Sequence, residues 1–248
     1  MTAIFEMRLA VVADIHGNLT ALEAVVESLK ADRPDLVVQA GDMAVNGPRP
    51  GEVVDLVRSL GWRGVIGNTD EMLWDPSARS QQEQRAPKLL GWLNVLFDTL
   101  APWARERLSN AEVDWLRSLP RELRLPESTV MHAGPGDLWR APMPDASDTE
   151  LSATYAPMEA GLVIYGHIHR PFVRTVAAFT VANCGSVGLP YDGDWRPSYA
   201  LIDESRAVRI RRVEYDRDAE ARAIRQSGFP LAEWLIQVQH RGRFTGPT

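Results

Sequence analysis

The stretch Met7-Arg-Leu-Ala-Val-Val-Ala-Asp-Ile-His-Gly-Asn18 decides the architecture. Met7 to Ala13 is a short, largely apolar run that ends at Asp14, and such a run reads as a buried parallel strand. Ile15 to Asn18 form a polar turn around Gly17, and Thr20-Ala-Leu-Glu23 has the form of a capping box. Leu22, Val25, Val26 and Leu29 then recur at helical spacing until Pro34 stops the helix. The unit repeats. Asp35 to Ala40 is a second strand, ending at Gly41-Asp42; Pro48 and Pro50 open a helix carrying Val53, Val54, Val57 and Leu60. Trp62 to Ile66 is a third strand, ending at Gly67-Asn68. Strand, helix, strand, helix, strand predicts a parallel sheet with crossover helices.

Residues about 70 to 125 change character. They are helix-rich, hold Trp74, Trp92, Trp103 and Trp115, and show no convincing strand, which predicts a helical insertion or cap. The tryptophans are expected to pack in a core rather than stack a ligand. Ser109-Asn-Ala-Glu112 is a further capping box. Strand-like runs resume at Ser128 to Met131, Leu162 to Tyr165, Phe172 to Val176, Phe179 to Ala182, Tyr199 to Asp203 and Val208 to Tyr215. Short turns between these predict antiparallel pairing. The segment about 216 to 243 reads as helical and amphipathic, and Thr245 to Thr248 is expected to fray. The 248 residues are read as a single domain.

The polar residues at the strand ends carry the chemistry. The first three strands deliver Asp14-Ile-His16, Gly41-Asp42 and Gly67-Asn68; later ones deliver His132 and Gly166-His167-Ile168-His169. In an open α/β sheet, sites form at the carboxyl ends of the strands, so these segments should converge. Only five histidines are present, and four of them stand just past predicted strands. Imidazole mixed with carboxylate suits Mn, Fe, Ni or Zn better than calcium. Asp14, His16, Asp42, Asn68, His132, His167 and His169 are too many for one tetrahedral ion. They suit two ions about 3.5–4 Å apart that clamp phosphate oxygens and activate a shared water. Asp42, alone at a central strand end, is the natural bridge, and Gly41, Gly67 and Gly166 let the chain turn beside it. No Walker-type or dinucleotide-binding glycine loop is present.

Composition narrows the partners. The formal net charge is −6, which argues against a long nucleic acid and leaves small phosphorylated molecules, nucleotides included. The lone Cys184 excludes an intrachain disulfide and reads as a small buried residue. Met1 to Ala13 lacks the basic start and cleavage site of a secretory leader, and no stretch approaches a membrane span, so a cytoplasmic location is expected. His240 reads as a surface residue, and Arg49, Arg63, Arg140 and Arg170 lie near loops that could face the site.

With Asp14-x-His16, Gly41-Asp42, Gly67-Asn68-x-Asp70, His132 and Gly166-His167-x-His169 in this order, the chain resembles the calcineurin-like metallophosphoesterases. Gly185-Ser186-Val187-Gly188 is similar to the loop that follows in bacterial members. The resemblance implies a four-layer αββα sandwich of two mixed β-sheets flanked by helices. It also implies that Asp14, His16, Asp42 and His169 hold one divalent ion and Asp42, Asn68, His132 and His167 the other. Asp42, Asn68 and Asp70 are expected to bear on catalysis, with Asp70 and Asn18 standing behind the ligands or, alternatively, capping the helices that follow them. Many members carry a proton-donating histidine after the asparagine; here that position is Thr69, a poor general acid at neutral pH. A bacterial branch also lacks it, and some of its members act on phosphodiesters or dinucleoside polyphosphates. The expectation is a hydrolase for phosphoanhydrides, aryl esters or diesters. A serine/threonine protein phosphatase and a non-catalytic scaffold are the alternatives.

Overall fold

The structure is a computed structural model that describes residues 7–247. The part of the leader reading that rests on residues 1–6, and Thr248 of the fraying tail, lie outside the described residues. In chain order come β1 (Leu9–Val12), α1 (Leu19–Asp32), β2 (Leu36–Ala40), α2 (Pro50–Ser59), β3 (Arg63–Val65) and α3 (Asn68–Glu71). Next follow α4 (Ala78–Arg85), α5 (Leu90–Val95), α6 (Ala101–Arg105), α7 (Asn110–Ser118), β4 (Glu122–Leu125), β5 (Ser128–Met131), α8 (Asp148–Tyr155) and β6 (Leu162–Tyr165). The chain continues with β7 (Phe172–Val176), β8 (Phe179–Asn183), β9 (Ser198–Ile202), β10 (Val208–Arg212), α9 (Arg217–Gln226) and α10 (Ala232–Arg241).

Two mixed five-stranded sheets result, ordered β10-β9-β1-β2-β3 and β4-β5-β6-β8-β7. β1, β2 and β3 are parallel, as are β5, β6 and β8, while β9, β10, β4 and β7 run antiparallel to their neighbours. Strand alternation sorts the side chains into layers. Leu9, Val11, Val38 and Val65 of the first sheet meet Val130, Ile164 and Ala182 of the second in a dry seam. Ala10 and Val12 point the other way, against Leu22 and Val25 of α1, Val53 and Val57 of α2 and Ile224 of α9. On the far side, Val163 and Tyr165 pack against Leu151 and Tyr155 of α8. The order helix, sheet, sheet, helix is the αββα sandwich. No described helix is long and apolar enough to cross a membrane.

Several local expectations change. The cap of α1 is Asn18, whose Oδ1 accepts from the Ala21 N–H at 2.9 Å; Thr20 lies inside the helix and donates instead to Glu220 at 2.7 Å. The helical region between β3 and the second sheet ends before 125, because Glu122–Leu125 pairs with β5 as an edge strand. The run from Ala133 leads into the helix α8, capped by Ser147, so β5 and β6 are joined by a crossover and pair in parallel. Ser147-x-x-Glu150 was the readable signal, since the Ser147 hydroxyl accepts from the Glu150 N–H at 3.1 Å. The tail is tied down at Thr245, whose carbonyl accepts from Trp234 Nε1 at 2.6 Å. The tryptophans at 74, 92, 103 and 115 pack against the core under the helices, Cys184 is buried, and His240 is exposed.

Candidate metal centre

The carboxyl ends of β1, β2 and β3 and those of β5 and β6 open on one edge of the seam, and the seven side chains meet there. Asp14, Asp42, Asn68, His132, His16 and His169 are buried, and His167 is half-buried. Asp14 (φ 55°), His16 (49°), Asp42 (57°), His167 (65°) and His169 (57°) all have left-handed backbones. Each such residue costs about 1–2 kcal/mol, and strain of this kind collects at functional sites. Close approach adds to it: a Cβ on Gly166 would lie 2.7 Å from Asp14 Oδ2, and one on Gly41 would lie 2.7 Å from His132 Nδ1.

Backbone carbonyls fix every imidazole. His16 Nδ1 donates to Val45 O at 2.7 Å, His132 Nδ1 to Ala40 O at 2.8 Å and His169 Nδ1 to Leu189 O at 2.6 Å. His167 is turned round: its Nε2 donates to Trp139 O at 3.1 Å and its Nδ1 faces inward. A carbonyl only accepts, so each ring carries its proton on the outer nitrogen and turns a lone pair inward. Burial pushes His16 down, His167 down to about 3 and His169 down to about 4, so these rings stay neutral near pH 7.

The inward lone pairs converge without donors. His16 Nε2 and His169 Nε2 are 3.2 Å apart, and Asp14 Oδ1 stands 3.4 Å from the latter and 3.9 Å from the former. Asp14 Oδ1 is buried and makes no hydrogen bond. His132 Nε2, His167 Nδ1 and Asn68 Oδ1 form a second knot, with separations of 2.8, 3.0 and 3.2 Å. Asp42 Oδ2 lies between the two knots, 3.8 Å from His16 Nε2 and 3.6 Å from His132 Nε2. Acceptors facing acceptors repel one another unless a cation sits among them. Ligand atoms about 2.1 Å from a common ion stand about 3.0–3.4 Å from each other, and the separations found, from 2.8 to 3.9 Å, bracket that spacing. Asp14, His16 and His169, and again Asp14, Asp42 and His132, each present atoms close enough to hold one ion.

The surrounding shell was only partly legible. Asp70 is buried behind Asp42, with its two oxygens accepting from the N–H groups of Asp42 (2.9 Å), Met43 (3.0 Å), Ala44 (3.3 Å) and Gly67 (3.3 Å). Burial and the Asp42 charge push its carboxyl up to about 7. Asp42 Oδ1 accepts from the Thr69 N–H at 2.9 Å, while the buried Thr69 hydroxyl has no partner. Asn18 caps α1 and lies against Gly188 rather than among the converging atoms. The Ser186 hydroxyl donates to Asp14 O at 2.7 Å, and Gly188 N donates to the same carbonyl at 2.9 Å. The carbonyls of Ala40, Val45, Trp139 and Leu189 leave no sequence signal, since every residue has one. Tyr191, stacked on His169 with centroids 4.3 Å apart, was missed as well. Of the four arginines, Arg49 is tied to Glu220; Arg63, Arg140 and Arg170 are exposed.

Comparison with known proteins identifies the fold and the family. A crystal structure of a metallophosphoesterase from Sphaerobacter thermophilus superposes with a TM-score of 0.76 at 28% identity, covering 95% of this chain and 99% of that one. A Methanocaldococcus jannaschii protein of unassigned function is 28% identical, over 95% of this chain and 98% of its own. A probable cyclic nucleotide phosphodiesterase of Synechococcus is 26% identical, over 82% of this chain and 88% of its own. The calcineurin-like phosphoesterase superfamily domain matches residues 7–207, from the first strand through all the converging side chains, and the chain belongs to that family of hydrolases.

Proposed function

We propose that residues 1–248 form one metallophosphoesterase domain, capped by the helices of about 70–118, that hydrolyses small phosphate esters, diesters or anhydrides with two divalent ions. The observation that carries this is the pair of donor-free knots of lone pairs, joined by Asp42 Oδ2 and bordered by the unpaired Asp14 Oδ1. Asp14, His16, Asp42 and His169 would hold one ion, and Asp42, Asn68, His132 and His167 the other. Mn, Fe, Ni and Zn all accept this mixture of nitrogen and oxygen. When bound, such a pair supplies positive charge to the phosphate and a water acidic enough to attack near neutral pH. The chain's own residues do the rest. Carbonyls fix the tautomer of each of the four rings, Asp70 ties the Asp42 loop to the Gly67 turn through three N–H groups of the one and one of the other, and the Thr69 amide fixes the Asp42 carboxylate.

Thr69 sets the substrate class. A buried hydroxyl without a basic partner does not protonate an alkoxide leaving group, so esters that depart unaided are favoured. The relative named as a cyclic nucleotide phosphodiesterase supports a nucleotide-sized diester. The net charge of −6 favours such small substrates over long nucleic acid, and a cytoplasmic setting suits them. The test is hydrolysis of aryl phosphate mono- and diesters by Mn- or Ni-loaded protein beside a His132→Ala control. Rates no higher than the control's on either ester would end the proposal.

A further inference from the structure

A cavity of about 550 Å³ adjoins the metal centre, lined by Arg170, Tyr191, Arg243 and Phe244 together with Pro144, Pro171, Asp145 and Asp192. One aromatic ring separates the two, because Tyr191 lines the cavity and stacks on His169 with an interplanar angle of 13°. The partition is held in place by the backbone. Tyr191 N donates to His169 O at 3.0 Å, and Arg170 Nε donates to Tyr191 O at 3.3 Å. Arg170 adjoins His169 in the chain, so its guanidinium is anchored one residue from a candidate ligand.

Part of the lining, Arg243 and Phe244, comes from the carboxyl-terminal segment, beyond the part of the chain that matches the family domain. That segment is built in. Gly193 N donates to Gly242 O at 2.8 Å, and a Cβ on Gly193 would meet the Arg243 guanidinium at 3.2 Å. Phe244 sets its edge on Tyr191 at 5.5 Å and on Trp92 at 5.2 Å, and Trp234 holds Thr245. Charge decides what the cavity takes. Asp192 is engaged by Arg212, and neither Arg170 nor Arg243 has a carboxylate partner among the described residues. Two guanidiniums thus face a single unengaged carboxylate, Asp145, leaving a net positive concavity in an acidic protein.

We propose that this cavity is a specificity subsite for a second phosphate group of the substrate, held by Arg170 and by Arg243 of the carboxyl-terminal tail. Guanidinium forks match phosphate oxygens, and the scissile phosphate is already provided for on the other side of Tyr191. The tail is then part of the binding surface, and a substrate with two phosphates is preferred to one with a single phosphate. This inference rests on the phosphoesterase reading given above.

The test compares wild type, Arg170→Ala, Arg243→Ala and an Arg63→Ala control of equal charge change. Binding of hexane-1,6-bisphosphonate, whose linker lets its two phosphonates stand on either side of the Tyr191 ring, and of methylphosphonate to the metal-loaded proteins is measured by calorimetry, alongside hydrolysis of p-nitrophenyl phosphate by wild type. Wild type is expected to bind the bisphosphonate more tightly than methylphosphonate. In each cavity variant the ratio of the two affinities is expected to fall about three- to tenfold, as suits a partly exposed ion pair. The Arg63→Ala protein is expected to keep the wild-type ratio. Equal losses for both anions, or no loss, would overturn the subsite. If wild type hydrolyses no aryl phosphate, the phosphoesterase reading fails on its own, while the binding comparison still decides whether the cavity selects a second phosphate.

Discussion

Replacing Gly41 by alanine strikes the point where β2, the turn before α3 and His132 come closest. Gly41 has φ +89°, and a Cβ there would lie 2.7 Å from the Cα and N of Gly67 and 2.7 Å from His132 Nδ1. Carbon contacts are comfortable from about 3.5 Å, so something must move by about 0.8 Å. The Gly67 side is backbone, which leaves the His132 ring as the softer neighbour. That ring is pinned through its Nδ1 to Ala40 O at 2.8 Å, and its movement would break this bond. Backbone strain at positive φ and overpacking of about 1–3 kcal/mol together give a loss of about 3 kcal/mol. For a chain of this size that is a fall of about 6–12 °C in melting temperature. A ligand displaced by more than about 0.5 Å also spoils a metal site, so affinity should fall by about 10- to 100-fold. The assay is thermal melting with and without Mn, beside calorimetric titration of the metal. Gly91→Ala serves as the control: nothing lies within 4 Å of its added Cβ, and it is expected to be neutral or slightly stabilising. A Gly41→Ala protein that melts with wild type and binds metal as tightly would refute the reasoning.

Acidification provides a second test. His16, His167 and His169 are lowered by burial, so between pH 6.5 and about 4 the unfolded chain gains protons that the folded one refuses, and metal-stripped protein loses stability. Asp14 and Asp70, raised to about 7, act in the opposite sense by holding protons that the unfolded chain releases. Glu71 and Glu220, also raised by burial, add to that opposing sense, so the histidine contribution is read by difference. In metal-stripped His167→Gln protein the melting temperature should fall less steeply below pH 6.5 than in wild type, and an unchanged slope would contradict this. Glu220→Ala removes a fully buried carboxylate from Arg49 and Thr20, where α9 docks on α1. Because Arg49 keeps some solvent contact, about 2–3 kcal/mol should be lost in chemical denaturation, with the pH–rate profile unmoved. Thr69→Ala deletes a hydroxyl that bonds nothing, so turnover of p-nitrophenyl esters is expected to stay within about threefold of wild type. A collapse in rate would make Thr69 a participant in the reaction.

The first sheet was legible because its strands are short apolar runs ending in single polar residues. Burial on both faces writes itself into Leu9–Val12 and Leu36–Ala40 as hydrophobicity. The seven converging side chains were legible for the same reason. The second sheet was harder. Its edge strand Glu122–Leu125 is half polar because one face meets solvent, and the crossover between β5 and β6 is an eight-residue helix with almost no apolar stripe. The cap of α1 stayed open in the sequence because Asn18 and Thr20 are both competent caps; Asn18 is the one that reaches an α1 N–H. What orients the rings lay out of reach, since Val45, Ala40, Leu189 and Trp139 act through carbonyls. Tyr191 and Arg243 reach the site only because β9 and the last helix return to it.

That return has a consequence for how the chain is made. β9 seals the free edge of β1, with Leu9 opposite Ile202, so the whole second sheet is threaded between the first and last strands of the first sheet. A nascent chain that has emerged as far as Asn183 owns all seven converging side chains. It lacks Ser186 and Gly188, which brace Asp14, and Leu189, which fixes the His169 ring. During vectorial synthesis the pocket therefore remains open until the chain has been made past Leu189. Such late, long-range closure slows folding and leaves the edge of β1 exposed to wrong partners until β9 arrives.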